Sequence, residues 1–383
     1  MPEEKIVLKK CEDYKFFEVR RKIEEVIDSL GGISKYIKNS DKVLLKPNFL
    51  RYKPVESAVT THPLFIKALA EVVKDAGARV IIGDSPGIGS SFSIAKKIGL
   101  LSFIKKVDGK IIEFSESQTV KTPQNYLFRR FEIAKEVVDS DVIINVPKIK
   151  THAQMYLTLA VKNLFGCVVG MKKTQWHFMA GRDTDYFATM LVELHKIVNP
   201  SLTIVDGITG MEGNGPGSGT PRNIGIVLGG EDCVAIDRVI CEILKADVNK
   251  LRTLIMAERL GIGETKLDHI ILDGDPLGSF DIKNFKMADF SALETMGLPK
   301  IFGRHFKNAF TRKPVIDGKL CVLCKTCIEN CPSQVMSVKK GKRDSVEIDY
   351  RNCIRCFCCQ ELCPEGAIFV GKGWFLRIVD LFD

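Results

Sequence analysis

Eight cysteines near the C-terminal end constrain this chain more than anything else in it. They read Cys321, Cys324, Cys327 and Cys331-Pro332, then Cys353, Cys356, Cys359 and Cys363-Pro364, which is C-x-x-C-x-x-C-x-x-x-C-P written twice. Three thiolates spaced in this way can wrap three corners of one iron–sulfur cube, because a tight loop brings their sulfurs around it. The fourth cysteine opens a helix that runs away from that cube and serves the other one. The expected ligand sets are therefore crossed: Cys321, Cys324, Cys327 and Cys363 hold one [4Fe–4S] cluster, and Cys353, Cys356, Cys359 and Cys331 the second. Tetrahedral zinc also favours C-x-x-C pairs, but four ligands leave the third cysteine of each run and both Cys-Pro steps unexplained. A disulfide framework fits no better, since so dense a run in a long chain without secretory features argues for metal.

Five of the thirteen cysteines remain. Cys11, Cys167, Cys233 and Cys241 sit in apolar surroundings and read as small core residues. Cys358 lies beside Cys359 and competes with it as a ligand, but Cys359 preserves the spacing of the first run.

At 383 residues the chain is long enough for a substantial core and two domains. The start, Met1-Pro2-Glu3-Glu4-Lys5, lacks the basic end and apolar core of a signal peptide. The stretch from Leu157 to Met171, the most membrane-like one, is broken by Lys162 and Asn163. No membrane span is expected, and a cytoplasmic location is. The formal charge of +9 falls once two oxidised clusters with their thiolates return about four negative charges. No stripe of interleaved aromatic and basic residues accompanies it, so nucleic acid is not an expected partner. The surplus cations fit local pockets for an acidic substrate or partner.

From the start to about residue 275, strand-like and helix-like segments alternate. Ile6-Val7-Leu8, Lys42–Asn48, Arg79–Asp84, Asp141–Val146, Leu202–Asp206, Asn223–Gly229 and His269–Leu272 are the apolar runs. Phe16–Leu30 has helical spacing and stops at Gly31-Gly32, and His62-Pro63 opens another helix that closes at Gly77. Continuous Val/Ile/Leu runs separated by helices predict an α/β domain over 1–275, with a mostly parallel sheet covered by helices on both faces. Residues 276–314 read as a linker packed over that domain. Residues 315–383 read as a small α+β module carrying the cysteines, with strands at Val335–Val338, Val346–Ile348 and Ile368–Val370. Its tail, Trp374 to Phe382, is amphipathic and reads as docking onto the body.

Ligands in such sheets bind beyond the carboxyl ends of the strands. Those ends are polar here: Lys46-Pro47-Asn48, Thr60-Thr61-His62-Pro63, Gly83-Asp84-Ser85-Pro86-Gly87, Asn145 to His152, and Asp206-Gly207. Taken singly, Asp84 and Asp206 also serve as turn caps and His62 as a helix-opening residue. Taken together on one rim, they make Lys148, His152, His62, Asp84 and Lys46 the candidate catalytic residues. Asn48, Lys150, Lys162, Asn163 and Arg222 are the candidate substrate-binding residues. The alternation Lys148-Ile149-Lys150 places both lysines on one face. Gly213 to Gly219 forms a glycine-rich loop, read either as an ordinary flexible loop or as a lid or anion-binding turn backed by Arg222, without the ending of a P-loop or the spacing of a dinucleotide fingerprint. Lys172, Lys173, Trp176, His177 and Arg182 form a basic segment that would hold a carboxylate or phosphate if folded over the rim. His195, His269 and His305 have no metal-ligand spacing.

These rim motifs, with Thr61-His62-Pro63, Lys162-Asn163-Leu164-Phe165-Gly166 and Asp206-Gly207-Ile208 through Gly213-Asn214-Gly215-Pro216, resemble the family catalogued as domain of unknown function 362. The resemblance spans roughly residues 5 to 275. The cysteine module resembles the bacterial two-cluster ferredoxins, which often follow that domain. Together they imply an iron–sulfur protein of redox function. The leading expectation is an oxidoreductase that takes single electrons from a soluble donor, or returns them to an acceptor, and passes them to a small anionic substrate on the rim. The alternatives are an electron-transfer subunit for a separate catalytic partner, a scaffold that hands on clusters, and a non-redox enzyme with structural clusters. A free shuttle would not need so large a second domain. Twelve Lys/Arg against nine Asp/Glu over 311–383 also differ from the acidic surface of a diffusible carrier. A flavin or other organic cofactor has no motif of its own here, and oligomeric state leaves no mark in the sequence.

Overall fold

The computed structural model describes residues 4–280, 282–288, 311–341 and 344–371. A ten-stranded sheet forms the frame. Its main path runs Ile270–Gly274, Glu4–Lys10, Thr220–Gly230, Leu202–Glu212, Val142–Val146, Lys42–Pro47, Arg79–Asp84, Lys110–Glu113. The last five are parallel to one another, as their uninterrupted Val/Ile/Leu content requires. Thr220–Gly230 runs antiparallel to both of its neighbours, because it returns directly from Leu202–Glu212 as a hairpin. Alternation along one strand feeds two cores: Leu44 packs on one face, Val43 and Leu45 on the other.

The covering helices follow from their spacing. In Phe16–Ser29, Val19, Ile23, Val26 and Ile27 are the buried residues, a single apolar stripe. Pro63–Asp75 begins with proline at its first turn, and His62 Nδ1 accepts the Leu64 N–H at 3.2 Å as the cap. These two helices cover the face that Val43 enters, while Thr184–Val198 and Cys233–Ile243 cover the other.

The cysteine module pairs Lys313–Ile316 with Ile368–Gly371 and Met336–Lys339 with Ser345–Ile348, both antiparallel. Two short helices, Thr326–Glu329 and Cys358–Leu362, complete it. The expected linker over 276–314 falls largely outside the described residues, and the tail Trp374–Phe382 and His305 fall wholly outside. Among the described residues no helix is long and apolar enough to cross a membrane.

The module is clasped to the sheet domain through backbone carbonyls. Arg51 Nη1 donates to Pro364 O at 3.5 Å, and Lys53 Nζ donates to the same carbonyl at 2.6 Å. Arg182 Nη2 donates to Cys353 O at 2.8 Å, and Gln360 Nε2 donates to Asn214 O at 2.9 Å. Gly217 has to be glycine for this approach, since a Cβ there would stand 2.6 Å from Glu361 O.

Candidate functional site

The chain leaves the strand Lys42–Pro47 in one direction, through Arg79–Asp84 to Lys110–Glu113, and returns on its other side at Val142–Val146. The carboxyl ends of Lys42–Pro47 and Val142–Val146 therefore splay apart at a topological switch point. A line of amides runs through the gap. Asn163 Nδ2 donates to Asn145 Oδ1 at 2.8 Å and to Lys46 O at 3.2 Å, and Asn48 Nδ2 donates to Asn163 Oδ1 at 3.0 Å. Lys150 Nζ then donates to Asn48 Oδ1 at 2.7 Å and to Val59 O at 2.8 Å. Beside this line Lys46 Nζ meets Asp84 Oδ1 at 2.9 Å, with both side chains buried. Asp84 also accepts the N–H groups of Phe49 and Ser85 at 2.7 and 2.8 Å. Gly166 lies flat against the pair, where a Cβ would stand 2.0 Å from Asp84 Oδ1.

Between this rim and the module lies a cavity of about 310 Å³. The sheet domain lines it with Asn48, Asp84, Lys150, His152, Lys162 and Asn163, and behind them Lys173 and His177. The module closes it with Asn330, Cys358, Glu361 and Leu362. Most of these polar groups are already committed. Lys173 is engaged by Ser85 O, Ser85 Oγ and Pro86 O, and Lys150 has one of its three ammonium protons left. Lys162 differs. Its Nζ stands 5.4 and 5.7 Å from the Phe165 and Phe187 ring centroids, with no acceptor in hydrogen-bond reach among the described residues.

His152 fixes its own tautomer. Its Nδ1 accepts the N–H groups of Gln154 and Met155 at 3.0 and 3.2 Å, so Nε2 carries the proton. That Nε2 is buried without a hydrogen-bond partner and stands 3.6 Å from Glu361 Oε2. Burial pushes His152 down to about 4 and keeps the ring neutral. Burial likewise takes Lys150 down to about 7, against the pull of Glu361, and Lys173 to about 8, against that of Asp84. Lys162 is lowered by burial too, opposed by Glu361. Burial alone would raise the Glu361 carboxyl. The nearby His152 ring and the positive field of Lys162 hold it below the usual carboxylate range.

The remaining predicted residues sit elsewhere. Lys148 Nζ donates to Asp206 Oδ2 at 2.8 Å and to Tyr14 OH at 2.6 Å, and Tyr14 OH donates to Asp206 Oδ1 at 2.7 Å. His62 stacks on Tyr14 at 3.6 Å, and its backbone N–H donates to Asp206 Oδ2 at 2.9 Å. This second polar cluster is satisfied internally and does not line the cavity. Arg222 reaches Lys283 O at 2.8 Å on the surface rather than backing the glycine-rich loop. That loop is the hairpin connection, tied to Thr151 Oγ1, which donates to Gly213 O at 2.9 Å. Of the basic segment, Lys173 and His177 line the cavity. Lys172 pairs with Glu132, Trp176 packs on Phe128 and Phe131, and Arg182 belongs to the clasp.

The eight motif cysteines ring two voids. One is lined by Cys321, Cys324, Cys327 and Cys363, the other by Cys331, Cys353, Cys356 and Cys359. Burial, then Cys363, Cys324 and Cys321, push Cys327 up to about 11, so these thiols lie within each other's field. No three His, Cys, Asp or Glu side chains among the described residues meet closely enough for a single ion. Four thiols around a void suit a larger cationic core instead. Cys358 lines neither void and opens onto the cavity.

A family model described as domain of unknown function (DUF362) matches residues 43–242. The Synechocystis sp. protein named thylakoid-associated protein sll1697 is 35% identical over 307 residues, covering 80% of this chain and 95% of that one. The chain belongs to the DUF362 family. A second model, described as a 4Fe-4S dicluster domain, matches residues 313–364, so this DUF362 protein carries an iron–sulfur electron-transfer module. Among solved structures, the lactate racemase apoprotein from Thermoanaerobacterium thermosaccharolyticum has a TM-score of 0.39 at 14% identity, over 59% of this chain and 54% of that one. A Thermotoga maritima protein gives 0.33 at 12%, over 53% and 52%. The DUF362 chain thus spans about half the length of either solved protein.

Sequence reasoning did not single out Glu361 and did not place Cys358. Both lie between motif cysteines, where the spacing says which thiols bind metal but not which way the short helix turns its other side. The amide line from Asn145 through Asn163 to Asn48 left more trace, since Asn145 and Asn48 stand at the ends of strands and Asn163 ends the short helix that meets them.

Proposed function

We propose that this DUF362 protein is an iron–sulfur oxidoreductase that serves a small anionic substrate in the cavity between its two domains. Each cysteine quartet holds one [4Fe–4S] cluster in the crossed arrangement, which is supported by the two voids and their ligand sets. When bound, the clusters supply one-electron transfer. The observation that carries the reading is the shared wall. Helix Cys358–Leu362 runs between the ligands Cys359 and Cys363, Asn330 precedes Cys331, and both segments line the cavity that Lys150, His152 and Lys162 line from the other side.

The residues divide the work by what they have left to give. Lys162 offers an uncommitted cation, and His152 offers an Nε2–H with no acceptor, so a carboxylate or phosphate oxygen between them satisfies both. Lys46, Lys150, Lys162 and Lys173 against Asp84 and Glu361 leave the cavity two charges positive with Lys150 protonated, four minus two, which favours an anion. The Asn48–Asn163 line holds Lys150 in place, and the closed wall excludes bulk water and strengthens each contact. We place the protein in the cytoplasm, where thiol ligands stay reduced. The thylakoid association named for the Synechocystis relative needs no membrane span and is compatible with this.

The test is anaerobic. Reduced protein is mixed with small carboxylates and phosphate esters, and the acceptor is the one that speeds cluster reoxidation. Lys162→Met should then weaken its binding at least tenfold, about 1.4 kcal/mol, with cluster spectra unchanged. Equal reoxidation by variant and wild type would remove the cavity from the mechanism.

A further inference from the structure

The cavity between the domains has a buried polar end and an open mouth. Lys162, His152 and His177 in its lining are buried. Gly89 and Gly170, also in the lining, are exposed, and a Cβ on either would meet nothing within 4 Å, so they mark the mouth. The lining includes an apolar set, Leu50, Pro86, Phe165 and Leu362, and Leu362 lies flat on Gly87, where a Cβ would stand 2.6 Å from Leu362 Cδ2. Several polar residues of the wall are already spent, Asp84 on Lys46, Lys173 on Ser85 and Pro86, and Asn330 on the Thr326 carbonyl. At the mouth begins the helix Lys172–Ala180. Thr174 of this helix lines the cavity, as does Met171, which caps it. Met171, Phe178 and Met179 are 64%, 59% and 59% exposed. Residues three and four apart are neighbours on a helix, so Met171, Thr174 and Phe178 form one ridge, about 10 Å long, from the cavity lining onto the surface. The other side of the helix is packed, with Trp176 on Phe128 and Phe131 and His177 stacked on Phe187 at 4.4 Å. The exposed residues are therefore not the face that holds the helix in place.

We propose that the ligand of this cavity is an amphipathic anion, whose carboxylate or phosphate head meets Lys162 and His152 and whose aliphatic tail leaves the mouth along Met171, Thr174 and Phe178. The inference rests on the reading of the cavity as an anion site and adds the class of molecule it takes. Single exposed apolar residues are ordinary on a protein surface. These differ in being continuous with a cavity whose own lining is partly apolar and whose uncommitted polar groups lie at the buried end. A short hydrophilic acid would engage that end and leave the Met171–Phe178 ridge in water. An aliphatic tail asks for no further hydrogen bonds and removes apolar surface from water on both partners. Methionine at the lip suits such a ligand, because its flexible thioether adapts to a chain that has no fixed shape.

Binding, not turnover, is the readout. Anaerobic full-length holoprotein is titrated in a calorimeter with butyrate, hexanoate and octanoate, and with the matching alkyl phosphates, all below their micelle concentrations. In the series with the better head, affinity should rise about threefold per added methylene, short of the roughly fourfold of complete burial. Met171→Ser/Phe178→Ser changes two mostly exposed residues. It should weaken the octyl ligand about tenfold and the butyl one by under about twofold. Lys162→Met should instead weaken the whole series alike, so that head and tail fail separately. Equal affinity across the wild-type series, with Lys162→Met still harmful, would overturn the tail and keep the anion site. A series that does not bind, or that Lys162→Met leaves untouched, would overturn both. Unchanged octyl affinity in the double variant would also overturn the proposal and leave the ridge to another occupant, a second copy of the chain or residues 372–383. Flotation with phosphatidylglycerol vesicles separates a free ligand from a bilayer. Vesicle binding that the double variant loses, without any preference for the longer free acids, would overturn the proposal in favour of a membrane surface.

Discussion

The buried pair Lys46–Asp84 offers the sharpest test of how this rim is built. Its geometry is complete: Lys46 Nζ reaches Asp84 Oδ1 at 2.9 Å and Pro47 O at 2.7 Å, and Asp84 takes two backbone N–H groups. Lys46→Met keeps the length of the side chain but strands the carboxylate, with its charge uncompensated, among buried atoms. Removing one partner of such a pair costs about 3–5 kcal/mol, a large share of the 5–15 kcal/mol that roughly spans domain stability. Lys46→Met/Asp84→Asn removes the charge, and its amide oxygen still accepts one of the two N–H groups, Phe49 or Ser85, that the carboxylate takes on separate oxygens. It should recover about 1–3 kcal/mol of that loss, the range of coupling between contacting residues. Urea midpoints of anaerobic protein by far-ultraviolet circular dichroism decide the matter. A double variant no more stable than the single one would refute the electrostatic account and leave packing as the cause.

Two further outcomes follow from the same geometry. Lys150 sits near pH 7 because burial opposes its charge, against the pull of Glu361 and Asp84 and with Lys148 and Lys162 facing it from the same rim. Its folded pKa lies below the unfolded value, so between about 7 and 10.5 the unfolded chain binds more protons and stability rises with pH. The stability of wild type relative to Lys150→Met should therefore climb through that window by at most about 1.4 kcal/mol per pH unit. A flat difference in chemical denaturation would show that Lys150 keeps its charge. For the module, anaerobic wild type should contain about eight iron and eight sulfide. Cys363→Ser should disturb the cluster whose other ligands are Cys321, Cys324 and Cys327, as read by electron paramagnetic resonance. Damage confined to the other signal would refute the crossed ligation.

Much of this arrangement was legible in the sequence, and the illegible part has a common cause. The parallel strands announce themselves because burial on both faces leaves runs such as Val43-Leu44-Leu45 and Val80-Ile81-Ile82. The strand Lys148–His152 does not, although every residue in it is buried. Lys-Ile-Lys-Thr-His reads as a polar tip, because two buried lysines are tolerable only with partners that lie 58 and 102 residues away, Asp206 and Asn48. Alternation predicted Lys148 and Lys150 on one side of their strand. It gave no hint that the long side chains diverge, one into the Tyr14–Asp206 cluster and the other to the cavity. Distance along the chain hides Glu361 for the same reason, since its partner His152 lies in the other domain.

That divergence bears on why the module is fixed in place. A carrier that diffuses to its acceptor must lose translational and rotational freedom at each encounter, whereas one clasped beside the substrate has met that cost in folding. Arg51 and Lys53 bind the Pro364 carbonyl, Arg182 and Gln360 bind backbone carbonyls across the same seam, and Gly217 lets the helix Cys358–Leu362 come within contact of the hairpin. Contacts of this kind depend little on side-chain rotamers and hold position to within a hydrogen bond. They bring one helix into service three times over: Cys359 and Cys363 for the two quartets, and Glu361 toward His152 and Lys162. A module that swung free would separate the ligands from the cavity wall they now form. The clasp is therefore as much a part of the proposed active site as the residues that face the substrate.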